Sequence, residues 1–276
     1  MKVEQAKQIA NKAIEELTAA LNANPSEALT GYLKTVAKFH KYSFNNILLI
    51  AMACPQATHV AGFHTWRMLG RHVKRGAKGI RIVAPVSRRR AQQADTHINE
   101  EILSGSSTSV FGFRAVYVFD ESMTEGKPLA ELNSVQGDPS DYQERLEQFI
   151  QELGIALEYS PDIAPARGTS QGGKITILPG QSPAEIVETL AHEIAHELMH
   201  RGDRRTTTTK RQRETEAEAV AFIVANAIGL QATSASADYI TLWNGDAMLL
   251  AQSLEIIQRT AVQIITATSK RAAPAD

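Results

Sequence analysis

The residues best equipped for chemistry lie within five positions, His192-Glu193-Ile194-Ala195-His196. On a helix, side chains four apart share a face, so the two imidazoles can reach one tetrahedral ion. Glu193, beside the first histidine, projects toward the open side of such an ion, where a carboxylate can take a proton from water. Zinc is the cofactor this donor set predicts. His200 continues the stripe one turn further on. The helix that must carry these groups announces itself by its ends. Ser182-Pro183-Ala184-Glu185 combines a cap, a proline at the first helical position and a glutamate that returns the capping bond. Gly202 is a natural stop. Ile186, Leu190, Ile194 and Leu198 are spaced for burial on one side of it.

Two histidines leave zinc short of ligands, so a third must come from elsewhere in the chain. A second helix is predicted over 213–228, with Glu214, Glu216 and Glu218 in its first turns. Glu214 and Glu218 share a face, whereas Glu216 points away and reads as a surface glutamate. The pair resembles the Glu-x-x-x-Asp helix of gluzincin-type metallopeptidases. That resemblance implies Glu214 as the zinc ligand and Glu218 as the carboxylate behind a ligand histidine, with the reverse assignment open. Lys174 to Leu178 reads as a short strand in the position from which such folds offer an edge to an extended substrate. A purely structural zinc site has no use for a base such as Glu193, which favours an enzyme over a metal-stabilised binding module.

The rest of the chain has a different character. Its 276 residues carry a net charge of −1, yet between Ala28 and Ala94 there is not one Asp or Glu. Twelve Lys and Arg fall in that stretch, and the remainder of the chain is therefore at −13. Segregated positive charge is a footprint for a polyanion; a solvated basic face without a partner is the alternative. Aromatic rings alternate with cations and amides in Lys41-Tyr42-Ser43-Phe44-Asn45-Asn46 and in Phe63-His64-Thr65-Trp66-Arg67. Rings that stack on unpaired bases and cations that hold phosphate are what single-strand binding requires. Lys41, Tyr42, Asn46, Phe63, Trp66, Arg67, Arg71, Lys74 and Lys78 are the candidate contacts. Arg71, Lys74 and Lys78 lie in a glycine-spaced basic turn whose backbone can approach a phosphate. No helix-turn-helix, zinc-finger or RNA-recognition signature speaks for sequence-specific duplex reading.

Periodicity predicts helices over 2–22, from Ser26 to Phe39 and from Phe44 to Ala53, then strands over 80–86 and 111–119. Alternation gives the second strand one better-buried face. Residues 87–109 read as a mobile loop and 121–140 as a linker. The expectation is an α+β chain of two domains, 1–125 with helices and a small sheet, and 139–276 carrying the metal site. One cysteine, Cys54, excludes an internal disulfide and points to a reducing compartment. The longest apolar run, Ile47 to Cys54, is far below the ~20 residues of a membrane span, so a cytoplasmic protein with no membrane partner is expected.

Taken together, these segments resemble the ArdC-type antirestriction proteins. The resemblance rests on Ser43-x-x-Asn46-x-x-Leu49-Ile50, Val60-x-Gly62-Phe63-x-Thr65-Trp66 and Gly70-Arg71-x-Val73-Lys74-x-Gly76. It continues through Val118-Phe119-Asp120, Thr124-Glu125-Gly126, the His192–His196 helix and the Glu214–Glu218 helix. Met123 stands where the family usually has Gln before Thr-Glu-Gly. The resemblance implies an N-terminal domain that binds single-stranded DNA and a C-terminal zincin-like metallopeptidase domain of gluzincin type. It also implies a role in protecting the incoming DNA of mobile elements from host restriction, with the protein substrate unknown. A regulatory zinc protease that DNA binding merely localises, cleaving a repressor or another host protein, is the alternative function.

Overall fold

The computed structural model describes residues 3–23, 25–87, 110–127, 139–230 and 247–269. The chain begins with three helices, α1 (Val3–Ala23), α2 (Pro25–Lys38) and α3 (Phe44–Ala53). Each buries the stripe that its periodicity lays out: Ala13, Leu17 and Leu21 on α1, Leu29, Leu33 and Val36 on α2, Ile47, Leu48 and Ile50 on α3. Strand β1 (Val60–Gly62) leads into a short helix α4 (Phe63–Met68) and strand β2 (Arg71–Val73). Strands β3 (Ile80–Ser87) and β4 (Val110–Asp120) form a long antiparallel pair, and β1 adds on the far side of β4.

One expectation changes here. Glu121 to Gly126 is not linker: it holds a turn and strand β5 (Thr124–Gly126), which pairs antiparallel with β2. Buried Asp120 fixes that turn by accepting the N–H groups of Thr58, His59 and Ser122 and the Ser122 hydroxyl. Burial would raise the Asp120 carboxyl, but those donors outweigh it and hold the group below its usual value. On β4 the inward parity is that of Val116 and Val118, while Tyr117 stands out in solvent. Of the loop expected at 87–109, Ser87 ends β3; its remainder, 88–109, and most of the expected linker, 128–138, lie outside the described residues.

The C-terminal half runs α5 (Pro139–Glu152), β6 (Ala156–Tyr159), β7 (Gly168–Ser170), β8 (Lys174–Ile177), α6 (Pro183–Met199), α7 (Asp203–Thr207), α8 (Lys210–Ala227) and α9 (Ala247–Ser269). Its small sheet has the order β6-β8-β7, with β6 parallel and β7 antiparallel to β8. The strand expected at the edge, β8, is therefore the middle one. β7 takes the edge.

Helix α8 packs on α6, α9 and α2 at once. A helix so surrounded must be apolar nearly all round, and Ala217, Ala219, Val220, Phe222, Ile223 and Val224 are all buried. The contact between α2 and α8 makes the hydrophobic core continuous from the N-terminal helices to α9. Among the described residues no helix is long and apolar enough to cross a membrane.

Candidate metal centre and basic surface

Helix α6 starts as its sequence requires. The Ser182 hydroxyl accepts from the Glu185 N–H, and the Glu185 carboxylate accepts from the Ser182 N–H at 3.0 Å, closing a capping box. The last helical residue is Met199 and His200 is the C-cap, so the helix ends shortly before the stop expected at Gly202. Helix α8 is capped by Thr209, whose hydroxyl accepts from the Gln212 N–H at 3.1 Å. With α6 and α8 packed together, three side chains meet. His192 Nε2 and His196 Nε2 are 3.0 Å apart, and Glu214 Oε2 is 3.5 Å from each.

Ligands held about 2.1 Å from a tetrahedral ion stand about 3.4 Å from one another. Two imidazole nitrogens and a carboxylate oxygen with these separations fit a zinc-class divalent cation in both distance and donor chemistry. All three ligands are partly exposed, so the group is open on one side, as a catalytic centre needs and a closed structural site does not. The two imidazoles hold the Glu214 carboxyl well below its usual range.

Glu193 is 5 % exposed and lies under β7. A Cβ added at Gly168 would sit 2.8 Å from Glu193 Oε1 and 2.6 Å from Thr189 Cγ2, so β7 can come this close only because residue 168 is glycine. Burial pushes the Glu193 carboxyl up to about 7; Glu214 and Glu197 add to the effect and His192 opposes it. The bonds Leu178 N–H to Arg167 and Gln171 N–H to Lys174 fix the ladder of β7 with β8. Alternate residues pair in such a ladder, so the backbone groups of Gly168 and Ser170 point away from β8 along the free edge.

Two further carboxylates serve this centre, and neither was singled out for it from sequence. Buried Glu197 accepts from the Ser170 hydroxyl at 2.5 Å, from the Gly172 and Gly173 N–H groups at 2.8 Å each, and from Arg201. It thereby ties the β7–β8 turn to α6. Burial would raise its carboxyl, but these donors hold it low. A hint was present in the glycine pair, 172–173, which frees two N–H groups for one acceptor.

Glu216 corrects the sequence reading. Far from lying on the surface, it is fully buried, accepting from Ser253 of α9 at 2.6 Å and from Arg204 of α7 at 2.6 Å. Its Oε2 is 2.9 Å from His200 Nε2. Burial would raise this carboxyl too, and His200, Ser253 and Arg204 bring it below its usual value. Glu218, expected behind a ligand histidine, is exposed. The carboxylate facing the histidine stripe from behind is Glu216. A cleft of about 570 Å³ opens beside His196 and His200, between the Ser170–Gly173 turn and Arg201.

In the N-terminal half the candidate contacts divide. Trp66 is 1 % exposed, and its indole N–H donates to the Phe119 carbonyl at 2.8 Å. Arg71 is buried as well: its guanidinium donates to the Thr124 hydroxyl and the Lys127 carbonyl and lies 5.9 Å from the Trp66 ring centre. Asn46 is buried and exchanges two hydrogen bonds with the Val83 backbone, 2.8 and 2.9 Å. Tyr42 is half-buried with its hydroxyl bonded to the Val60 carbonyl. These four are packing residues, which corrects their assignment as DNA contacts.

Lys41, Phe63, Arg67, Lys74 and Lys78 are exposed, Phe63 to 51 %. The structure adds a pair that sequence reasoning missed. Tyr117 is 59 % exposed on β4, and exposed Arg81 stands directly opposite it on β3. Only the parity of the strand could have revealed it.

Residues 3–119 match the family model for the N-terminal domain of anti-restriction factor ArdC, and residues 150–257 match the peptidase M78 model, the IrrE N-terminal-like domain. The chain is an ArdC-type protein. Its α+β fold joins an ArdC N-terminal domain to a zincin-like metallopeptidase domain. A crystal structure of the antirestriction protein ArdC from plasmid R388, in a metal-free form, superimposes with a TM-score of 0.51 at 19 % identity, covering 84 % of this chain and 87 % of that one. A Mn(II)-bound structure of the same protein superimposes at 0.49 and 18 % identity. An uncharacterized protein of Bacillus anthracis, pXO2-81, is 23 % identical over 97 % of this chain. The ArdC-type chain spans about half the length of that relative, 52 %.

Proposed function

We propose that this ArdC-type chain is a zinc peptidase that engages single-stranded DNA through its N-terminal surface and protects incoming DNA by cleaving a host protein. The observation that carries the reading is the meeting of His192, His196 and Glu214 beside a buried Glu193 under an open strand edge. His192, His196 and Glu214 would hold the zinc. When bound, zinc supplies a Lewis acid that polarises a substrate carbonyl and makes water more acidic.

The chain's own groups do the rest. The free N–H and C=O groups of Gly168 and Ser170 hold an extended peptide as an added strand. Glu193 takes a proton from the water that adds to the peptide carbonyl, and returns it to the leaving amine as the C–N bond breaks. A carboxyl poised near 7 suits both transfers. On the other half, Phe63 and Tyr117 offer rings to unpaired bases, and Arg67, Lys74, Lys78, Arg81 and Lys41 offer cations to phosphate.

The test uses the full-length, zinc-loaded chain and its Glu193→Gln variant on extracts of a restricting host. Cleavage of a host protein by wild type and its loss by at least ~100-fold in the variant, with zinc retained, is expected; equal cleavage by both would sink the peptidase. Transfer of unmodified DNA into the same host should improve with wild type and not with the variant. If Glu193→Gln protects as well as wild type, protection does not run through proteolysis.

A further inference from the structure

Behind the metal centre runs a chain of buried polar groups that nothing in the HExxH spacing requires. His196 Nδ1, on the far side of the ring from the metal face, is 3.0 Å from His200 Nδ1. His200 Nε2 is 2.9 Å from Glu216 Oε2, and both side chains are completely buried. Three further donors fix Glu216: Arg204 on α7, Ser253 on α9, and Gln212 on its own helix at 3.3 Å.

A neutral imidazole has one N–H and one lone pair, so these contacts decide where the protons sit. A carboxylate only accepts, hence His200 carries its proton on Nε2 and presents a lone pair at Nδ1. That lone pair can be satisfied only by a proton on His196 Nδ1. The Nε2 lone pair of His196 is then the one facing His192 and Glu214, where a cation is held. We propose that Glu216, acting through His200, fixes the tautomer and ring orientation of His196, and that both are positioning residues of the metal centre. The proposal rests on the metal-site reading above. It assigns the support of the ligand histidine His196 to a carboxylate one histidine away. Because Ser253 belongs to α9, the C-terminal helix takes part in building the centre.

The experiment reads the histidines of the full-length, metal-free protein, ¹⁵N-labelled at histidine, by long-range ¹H–¹⁵N correlation at pH 8, where ordinary imidazoles are neutral. Wild type should show His200 protonated at Nε2 and His196 at Nδ1, assigned with His200→Gln and His196→Gln. A His196 proton on Nε2 overturns the proposal without any variant having to fold. In Glu216→Leu the His196 signal should become a mixture of tautomers, and zinc affinity in a competition titration should fall about 10- to 100-fold. Glu216→Gln, whose amide oxygen still accepts from His200, should keep the wild-type tautomers and recover most of the affinity. Unchanged tautomers and affinity in Glu216→Leu would overturn the proposal. If wild type shows the stated tautomers and yet binds no zinc, the metal-site reading falls, because the proton pattern is read without metal.

Discussion

The metal centre and the basic surface were both read from residue types, but the chain treats the two readings differently. His192, Glu193 and His196 sit on one capped helix, α6, and Glu214 on α8, and the three candidate ligands converge within 3.0–3.5 Å. Of the nine residues chosen for DNA contact, Asn46, Trp66 and Arg71 are buried and Tyr42 is half-buried with its hydroxyl already bonded. Helical spacing fixes direction as well as distance, so a four-residue repeat is already geometry. A ring or a guanidinium in a basic stretch carries no such information. The Arg71 guanidinium lies over the Trp66 ring, and the two side chains tie α4 and β2 to the ends of β4 and β5, work that needs their size and donors rather than their affinity for bases.

The sharpest break between the halves concerns metal. His196→Ala should reduce bound zinc from about one per chain to near none, measured by metal analysis after dialysis, while single-strand binding by the same protein stays within about twofold. Zinc retained at one per chain would remove the site altogether. Treatment of wild type with a chelator should have the same selective effect.

Trp66 and Tyr117 test the other half as a matched pair. Trp66→Ala empties a buried site and should cost about 3–5 kcal/mol of stability, seen as a large fall in the denaturation midpoint. Tyr117→Ala removes an exposed ring and should leave that midpoint almost unmoved. It should instead weaken binding of an unpaired oligonucleotide by about 1–3 kcal/mol, roughly 5- to 150-fold, in an anisotropy titration of the full chain. Lys78→Ala should lower the salt slope by about 0.7. If Trp66→Ala lost DNA affinity while remaining fully stable, burial would be the wrong criterion for choosing contacts. If the wild-type chain bound single and double strands equally, only a polyanion surface would remain.

Gly168→Ala probes the metal half through packing. Its Cβ would meet Thr189 and Glu193 at 2.6–2.9 Å, so either β7 lifts or Glu193 shifts. A misplacement of about 1 Å at a catalytic group costs on the order of 100-fold in rate. Cleavage should therefore fall by that order with zinc content unchanged. Unaltered cleavage would separate Glu193 and β7 from the chemistry.

What the sequence conveyed best was local. The capping box at Ser182, the histidine stripe and the three N-terminal helices were all legible because each depends on neighbours within a turn or two. What it hid depends on partners far away in the chain. Glu216 reads as a surface residue until α7 supplies Arg204 and α9 supplies Ser253. Glu218 reads as support for a ligand until α2, α6 and α9 close around the rest of α8 and leave position 218 in solvent. The edge strand β7 has only three residues, Gly168-Thr169-Ser170, too few for any alternation to register.

The smallest expected effect is a pH dependence, and it lies at the end of β4, just before the stretch that reads as linker. Asp120 collects four donors at the junction of β1 and β4, and its carboxyl is held below the ordinary value in the folded chain. A carboxylate whose folded pKa is depressed adds stability at pH above its unfolded value, about 3.9. That contribution is lost as the pH falls through the folded pKa, because the neutral acid no longer accepts as strongly from Thr58, His59 and Ser122. Asp120→Asn keeps the shape and removes the charge. It should cost about 1–2 kcal/mol at pH 7, and the gap from wild type should narrow steadily below pH 4, followed by urea denaturation at each pH. A gap that stays constant from pH 7 to pH 3 would show that the turn is held by shape alone, and that Glu121 to Gly126 needs no ionised anchor to close the N-terminal half.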